Sequence, residues 1–154
     1  MIHVAVLGYG TVGSGVVEVI ETNKALINKR AGEELNVKYI LDLRDFPGDP
    51  YEAKVVHDVD VIMDDPQVSI VCETMGGVRA AYEFTKKALS KGKSVCTSNK
   101  EMVAKYGPEM LQLAKENNCN YLFEASVGGG IPIIRPMNEA LTAEKLEAIT
   151  GILN

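Results

Sequence analysis

An apolar run that breaks into glycines and then resumes at helical spacing leaves a chain few folding options, and the first fifteen residues are such a run. Ile2 and Val4 to Leu7 read as a buried strand, and Val12, Val16, Val17 and Ile20 recur as one face of a helix. Between them Gly8, Gly10 and Gly13 keep the G-x-G-x-x-G spacing. Gly8 allows the sharp turn, Gly10 lets a pyrophosphate approach the backbone without meeting a Cβ, and Gly13 lets the helix lie close on the strand. Amides in the helix's first turn, at the positive end of its dipole, would hold the phosphates. A purely conformational turn is the alternative. The strand before the glycines and the helix after them favour a dinucleotide.

The rest of the chain has room for one such unit and no second full domain, since it is 154 residues long. The expected class is α/β, a Rossmann-type doubly wound and mainly parallel sheet with helices on both faces, over residues 1–154. A net charge of -5 without a long Lys/Arg run gives no footprint for nucleic acid or an anionic membrane. No apolar stretch nears the roughly twenty residues of a membrane span, and Val4 to Leu7 is too short for a signal peptide, so the cytoplasm is expected. Cys72, Cys96 and Cys119 read as buried thiols of a reducing compartment, and His3 and His57 stand at no zinc-ligand spacing with them.

The first helix is expected to run to about Lys29, and Asn36 to Leu43 reads as the second strand. In a dinucleotide fold the end of that strand meets the adenosine ribose. Asp42 or Asp45 would accept from the ribose hydroxyls of NAD, and Arg44 would pair with the extra phosphate of NADP, which leaves the choice open. A solvated loop of mixed charge is the plain alternative. Asp58 to Met63 predicts a short helix, and Val68 to Cys72 the next strand. Beyond it Thr74 and the glycines Gly76 and Gly77 stand where open α/β sheets bind ligands, unless those glycines only turn the chain into a helix. Val78 to Lys91 predicts a covering helix closed by Gly92, and Ser94 to Thr97 a strand. Lys100 follows that strand, and pattern alone makes it a helix-surface charge. Pro108 is read as the first turn of a helix reaching about Asn117.

Asn120 to Phe123 predicts a further strand, running into Glu124-Ala125-Ser126-Val127-Gly128-Gly129-Gly130-Ile131-Pro132. Three consecutive glycines cost backbone entropy on ordering, so they imply a close approach of the main chain to something, with a flexible hinge as the alternative. Ile133 to Leu141 reads as helix and Leu146 to Leu153 as a strand.

Four segments together resemble the N-terminal nucleotide-binding domain of homoserine dehydrogenase: Gly8 to Gly13, Thr97 to Lys100, Tyr121 to Ile134, and Thr150 to Asn154. The third is the most specific. The resemblance implies NAD(P)-dependent interconversion of L-homoserine and L-aspartate 4-semialdehyde, on the route to threonine, methionine and isoleucine. It implies that Gly8, Tyr9, Gly10, Thr11, Val12 and Gly13 form the phosphate-binding turn and that Arg44 contacts the adenosine side. Thr74 and Lys100 would face the nicotinamide ribose and substrate, with Lys100 as the catalytic candidate. Glu124, Val127, Gly129 and Ile131 would form a site for a sodium ion, held mostly by main-chain carbonyls. In that family a substrate domain follows, so the segment from about residue 131 to 154 is expected to lead into a part missing here. The chain alone is then expected to bind cofactor without turnover, and the complete protein to be a homodimer. A dehydrogenase acting on aspartate is the nearest competing reading. A non-catalytic dinucleotide-binding sensor module is the competitor from another class.

Overall fold

The computed structural model describes residues 1–151. The first strand, β1 (Ile2–Leu7), gives way at the glycines to α1 (Thr11–Thr22) and α2 (Lys24–Ala31). The single helix expected here is broken at Asn23, and Gly32 closes the second piece at φ +74°. The chain continues through β2 (Leu35–Leu41), a 3-10 turn (Glu52–Lys54), β3 (Val55–Val56) and α3 (Val59–Met63). Asp58 caps α3 by accepting from the Asp60 amide. Next come β4 (Val68–Glu73), α4 (Arg79–Ser90), β5 (Ser94–Thr97) and α5 (Lys100–Glu116). The short β6 (Tyr121–Leu122), α6 (Glu124–Val127) and α7 (Ile134–Ala140) complete the elements among the described residues.

All six strands are parallel, in the order β3-β2-β1-β4-β5-β6. The chain builds outward from β1 on one side, crosses back, and builds outward from β4 on the other. The carboxyl ends of β1 and β4 therefore flank the point where strand order reverses, and loops leaving in opposite directions open a crevice there. Side chains alternate between two cores. Ala5 and Leu7 face Ile62, Ala81, Leu89, Met102 and Met110 of α3, α4 and α5. Val4 and Val6 face Val17 of α1. The register of β1 against β2 slips by one residue between Val4 and Ala5, so both Val37 and Ile40 reach the α1 side.

Two further expectations need correction. Pro108 lies inside α5, a single 17-residue helix. A mid-helix proline strands the carbonyl four residues back, here Ala104, and both residues are exposed, so water can satisfy it. The buried stripe of Met102, Met110 and Ala114 runs through the proline, and packing prevails over the local signal. Leu146 to Gly151 forms no strand; Leu146 and Ile149 are 49% and 70% exposed, so the apolar residues that suggested one are not buried. Residues 152–154, the rest of that expected strand and of the terminal segment, lie outside the described residues. Among the described residues no helix is long and apolar enough to cross a membrane.

A Cβ on Gly13 would lie 1.8 Å from the Gly8 carbonyl oxygen, whereas one on Gly15 meets nothing within 4 Å. Gly13→Ala should therefore cost about 1–3 kcal/mol or more by overpacking. Gly15→Ala should stabilise α1 by about 0.5–1 kcal/mol. Urea unfolding of both variants checks the pair, and equal effects would contradict the packing.

Candidate functional site

The crevice is floored by the turn between β1 and α1. Gly8 takes φ +93°, a conformation that strains any side chain, and its amide donates to the Leu41 carbonyl at 2.8 Å. Gly10 is the N-cap of α1 and carries no side-chain cap. The first bond closing the helix is Ser14 N to Gly10 O at 2.9 Å, so the amides of Thr11, Val12 and Gly13 have no intrahelical acceptor. A Cβ on Gly10 would meet no atom within 4 Å, so the space over these donors is open. Donors, dipole and open approach fit a phosphate pair.

Thr74 holds the opposite wall. Its amide donates to the Leu7 carbonyl at 2.9 Å, and its hydroxyl stands 2.9 Å and 3.0 Å from the carbonyls of Leu7 and Gly8. Two cavities meet at this threonine. One of about 530 Å³ is lined by Gly8, Gly10, Asp42, Arg44 and His57. The other, about 780 Å³, is lined by Val12, Glu73, Thr97, Ser98, Glu124 and Arg135. Together they form a cleft that crosses the switch point, with the glycine turn in the middle.

Asp42 ends β2 with all its acceptor positions engaged. One oxygen accepts from the Arg44 amide (3.0 Å) and Nε (2.9 Å), the other from the Tyr9 amide (2.8 Å) and Arg44 Nη2 (3.0 Å). The Arg44 side chain, helped by those two amides, holds the Asp42 carboxyl well below the ordinary range. Arg44 Nη2 also reaches the Tyr9 carbonyl, and its guanidinium lies 5.1 Å from the Phe46 ring. His57 Nδ1 donates to the Asp42 carbonyl at 2.7 Å, a placement no sequence signal announced.

The expected site residues divide by placement. Tyr9 contributes only backbone to the turn. Its ring is 7% exposed, meets Phe46 edge-on at 4.9 Å, and carries its hydroxyl to Asp49, so burial and that carboxylate push it up to about 12. Val12, read as part of the apolar stripe, is 52% exposed and lines the larger cavity. Lys100 opens α5 and is exposed. It is outside the lining of both cavities, although Thr97 and Ser98 just before it belong to the larger one. Sequence reasoning passed over Glu73, which is fully buried and accepts from the Thr97 hydroxyl and, at 2.8 Å, from the Met75 amide. Burial pushes its carboxyl up, and those two donors oppose the rise. Its signal was available: a carboxylate closing the apolar run Val68 to Cys72.

Of the proposed cation ligands, Glu124 spends its carboxylate on the amides of Ile133 (2.5 Å), Ile134 (2.8 Å) and Arg135 (2.9 Å), which lower its pKa and cap α7. Its carbonyl accepts from the Gly128 amide at 3.0 Å. A Cβ on Gly128 would lie 2.3 Å from the Ile131 carbonyl oxygen, which is the close approach implied by the glycine run; Gly129 and Gly130 meet nothing. Val127 closes α6, and Ile131 is 79% exposed. Among the described residues no three His, Cys, Asp or Glu side chains gather as metal ligands.

A family model for the NAD binding domain of homoserine dehydrogenase matches residues 8–124. The chain belongs to the homoserine dehydrogenase family. The homoserine dehydrogenase of Bacillus subtilis is 40% identical over 160 residues, covering 99% of this chain and 36% of that relative. That of Helicobacter pylori is 38% identical, again over 99% of this chain and 36% of the relative. The chain thus spans little more than a third of the length of these relatives. The crystal structure of a homoserine dehydrogenase from Thiobacillus denitrificans superposes with a TM-score of 0.83 at 40% identity, over 92% of this chain and 33% of that one. A hyperthermophilic archaeal homoserine dehydrogenase mutant in complex with NADPH gives 0.76 at 30% identity, over 92% of this chain and 49% of that one.

The lowered carboxyl of Asp42 carries a pH signature. A group titrating lower in the folded than in the unfolded chain adds stability above its unfolded value of about 4, and that stability is lost as pH falls below it. Denaturant unfolding between about pH 7 and pH 2 should show declining stability toward acid. Asp42→Asn should flatten part of that decline, and an unchanged slope would contradict the pairing.

Proposed function

We propose that this chain binds NADP(H) across the switch point and serves as the cofactor-binding part of an enzyme that interconverts L-homoserine and L-aspartate 4-semialdehyde. The observation that carries the reading is the set of amides at Thr11, Val12 and Gly13 left without an intrahelical acceptor, between Gly10 in the wall of the smaller cavity and Val12 in the wall of the larger. The pyrophosphate lies on these amides, the adenosine in the smaller cavity and the nicotinamide in the larger. Preference for the phosphorylated cofactor is supported by the state of Asp42. With four donors on its two oxygens it has no acceptor left for a ribose hydroxyl, while Arg44 sits over it at the cavity wall as a partner for a phosphate.

The hydride chemistry belongs to the nicotinamide. The chain's own share is to fix the dinucleotide through the glycine turn and Thr74, and to keep Lys100 at the carboxyl end of β5, where its Nζ proton can meet negative charge developing on the substrate oxygen. A sodium ion between α6 and α7 is supported by the glycine that lets the Ile131 carbonyl turn back on Gly128. Carbonyls of Glu124, Val127, Gly129 and Ile131 would be its ligands, since the Glu124 carboxylate is already used. Groups that bind the amino-acid substrate lie in the length of the relatives that this chain does not match.

Titration of the 154-residue chain with NADPH and NADH, followed by cofactor fluorescence, tests the reading. NADPH should bind more tightly, and Arg44→Ala should weaken NADPH roughly tenfold to hundredfold, the worth of a charge-assisted hydrogen bond of about 1.5–3 kcal/mol, while sparing NADH. Binding of neither cofactor would overturn the proposal. Mixed with NADPH and L-aspartate 4-semialdehyde, the chain should show no turnover by absorbance; turnover would relocate the substrate groups into these residues.

A further inference from the structure

A carboxylate with no exposed surface and no cation among its hydrogen-bond partners is an expensive way to finish a strand, and Glu73 is such a group. Its bonds lead in two directions. One oxygen accepts from the Met75 amide at 2.8 Å, which fixes the start of the loop from Met75 to Gly77. The other accepts from the Thr97 hydroxyl across the β4–β5 pair, in which Glu73 and Thr97 are register partners. The Thr97 oxygen itself accepts from the Asn99 amide at 3.0 Å, so its hydrogen is committed to Glu73. Asn99 is the N-cap of α5: its Oδ1 accepts from the Met102 amide at 3.0 Å, and its Nδ2 donates to the Gly77 carbonyl at 2.5 Å. The bonds close a ring from Glu73 through Thr97, Asn99 and Gly77 back to Met75.

We infer that Glu73 is a positioning residue: through Thr97 and Asn99 it sets the first turn of α5, and Lys100 with it, against the wall that carries Thr74. This deepens the cofactor reading above and rests on it. None of the ring's hydrogen bonds is made by a residue of the glycine turn. Thr74 is held to β1 by its own amide and hydroxyl on Leu7 and Gly8, so the glycine turn keeps its geometry when the Glu73–Thr97 bond is lost. The Thr97–Asn99 arm of the ring serves the nicotinamide half of the cleft, with Thr97 and Ser98 in its lining, whereas Met75 and Gly76 line the smaller cavity and keep their own anchor in the Met75 amide bond when the Glu73–Thr97 bond is lost. A carboxylate is needed because both of its oxygens must accept. Glutamine keeps one acceptor for the Met75 amide but turns an NH2 group toward a hydroxyl whose hydrogen then has nowhere to go.

The test compares NADPH with ADP-ribose 2'-phosphate, the same ligand without its nicotinamide ring, on the 154-residue chain carrying Glu73→Gln, Thr97→Val or Thr97→Ser. Glu73→Gln and Thr97→Val should each weaken NADPH about tenfold while ADP-ribose 2'-phosphate changes less than about twofold, and Thr97→Ser, which keeps the hydroxyl, should stay near wild type. Hydrogen exchange at the Asn99 and Met102 amides, read without ligand, should quicken in the first two variants only. Parallel losses for both ligands would make Glu73 a merely structural group, and unchanged NADPH affinity or unchanged exchange would remove the ring's role; either result overturns the inference. Wild-type chain that binds neither ligand would instead bring down the cofactor reading beneath it.

Discussion

The Leu7 carbonyl receives both the amide and the hydroxyl of Thr74, and the organisation of the crevice depends on that clasp. It binds the last residue of β1 to the first residue beyond β4, the two strands between which chain order reverses. The β4–β5 pair has a comparable side-chain tie, from the Thr97 hydroxyl to Glu73. Between β1 and β4 the loops diverge immediately, and without a local tie the carboxyl ends would be free to splay. The clasp also explains the third glycine of the turn. A Cβ at Gly13 would strike the Gly8 carbonyl and stand 2.8 Å from the Thr74 hydroxyl, so the helix can seat its amides at the crevice only if that position is bare. Helix dipole, bare backbone and threonine clasp form one arrangement.

Electrostatics at the site differ in kind from those on the surface. Pairs such as Lys86–Glu109, Lys91–Asp64 and Lys105–Glu101 join exposed side chains, where solvent screening leaves each with little effect on stability. Asp42 is different because two of its four donors are main-chain amides, Tyr9 and Arg44, whose positions are set by the turn and by the end of β2. The aspartate thus links the glycine turn to the end of β2 while neutralising much of the arginine beside it. Lys93 does comparable work at the opposite end of the sheet. Buried there, with burial lowering its pKa, it donates to the carbonyls of Asp65 and Val68 and closes the loop that leads into β4.

Much of this was legible in order along the chain. The glycine spacing after an apolar strand gave the strand, turn and helix observed, and Val68 to Cys72 and Ser94 to Thr97 were placed correctly as the strands that precede Thr74 and Lys100. Where the reading slipped, a long-range contact had outweighed a local preference. Pro108 looked like a helix start because its ring favours a first turn, yet the buried face of α5 continues through it. Tyr9 was expected in the turn, and what the motif could not show is that its ring packs against Phe46 and leaves only backbone there. Val12 was given two places, on the apolar stripe of α1 and in the turn, and its spacing misled only in the first, since it is half exposed and lines the larger cavity. Glu73 drew no notice because its two partners, one a side chain 24 residues away, are visible only when β4 and β5 lie in register.

The sequence by itself determined the strand, glycine turn and helix at the amino end, the alternation of helices and strands that makes a parallel sheet, and the family to which the order of motifs belongs. These follow from backbone conformation and hydrophobic periodicity, which act over a few residues at a time. Only the tertiary structure decided that Asp42 is saturated by Arg44 and the Tyr9 amide, that Glu73 ties two loops together, and that Thr74 clasps the carbonyls at the end of the first strand and the start of the turn. Each of those is a hydrogen bond between groups far apart in the chain or folded back upon it, and its partners are chosen by strand order and register, which no local pattern of residues encodes.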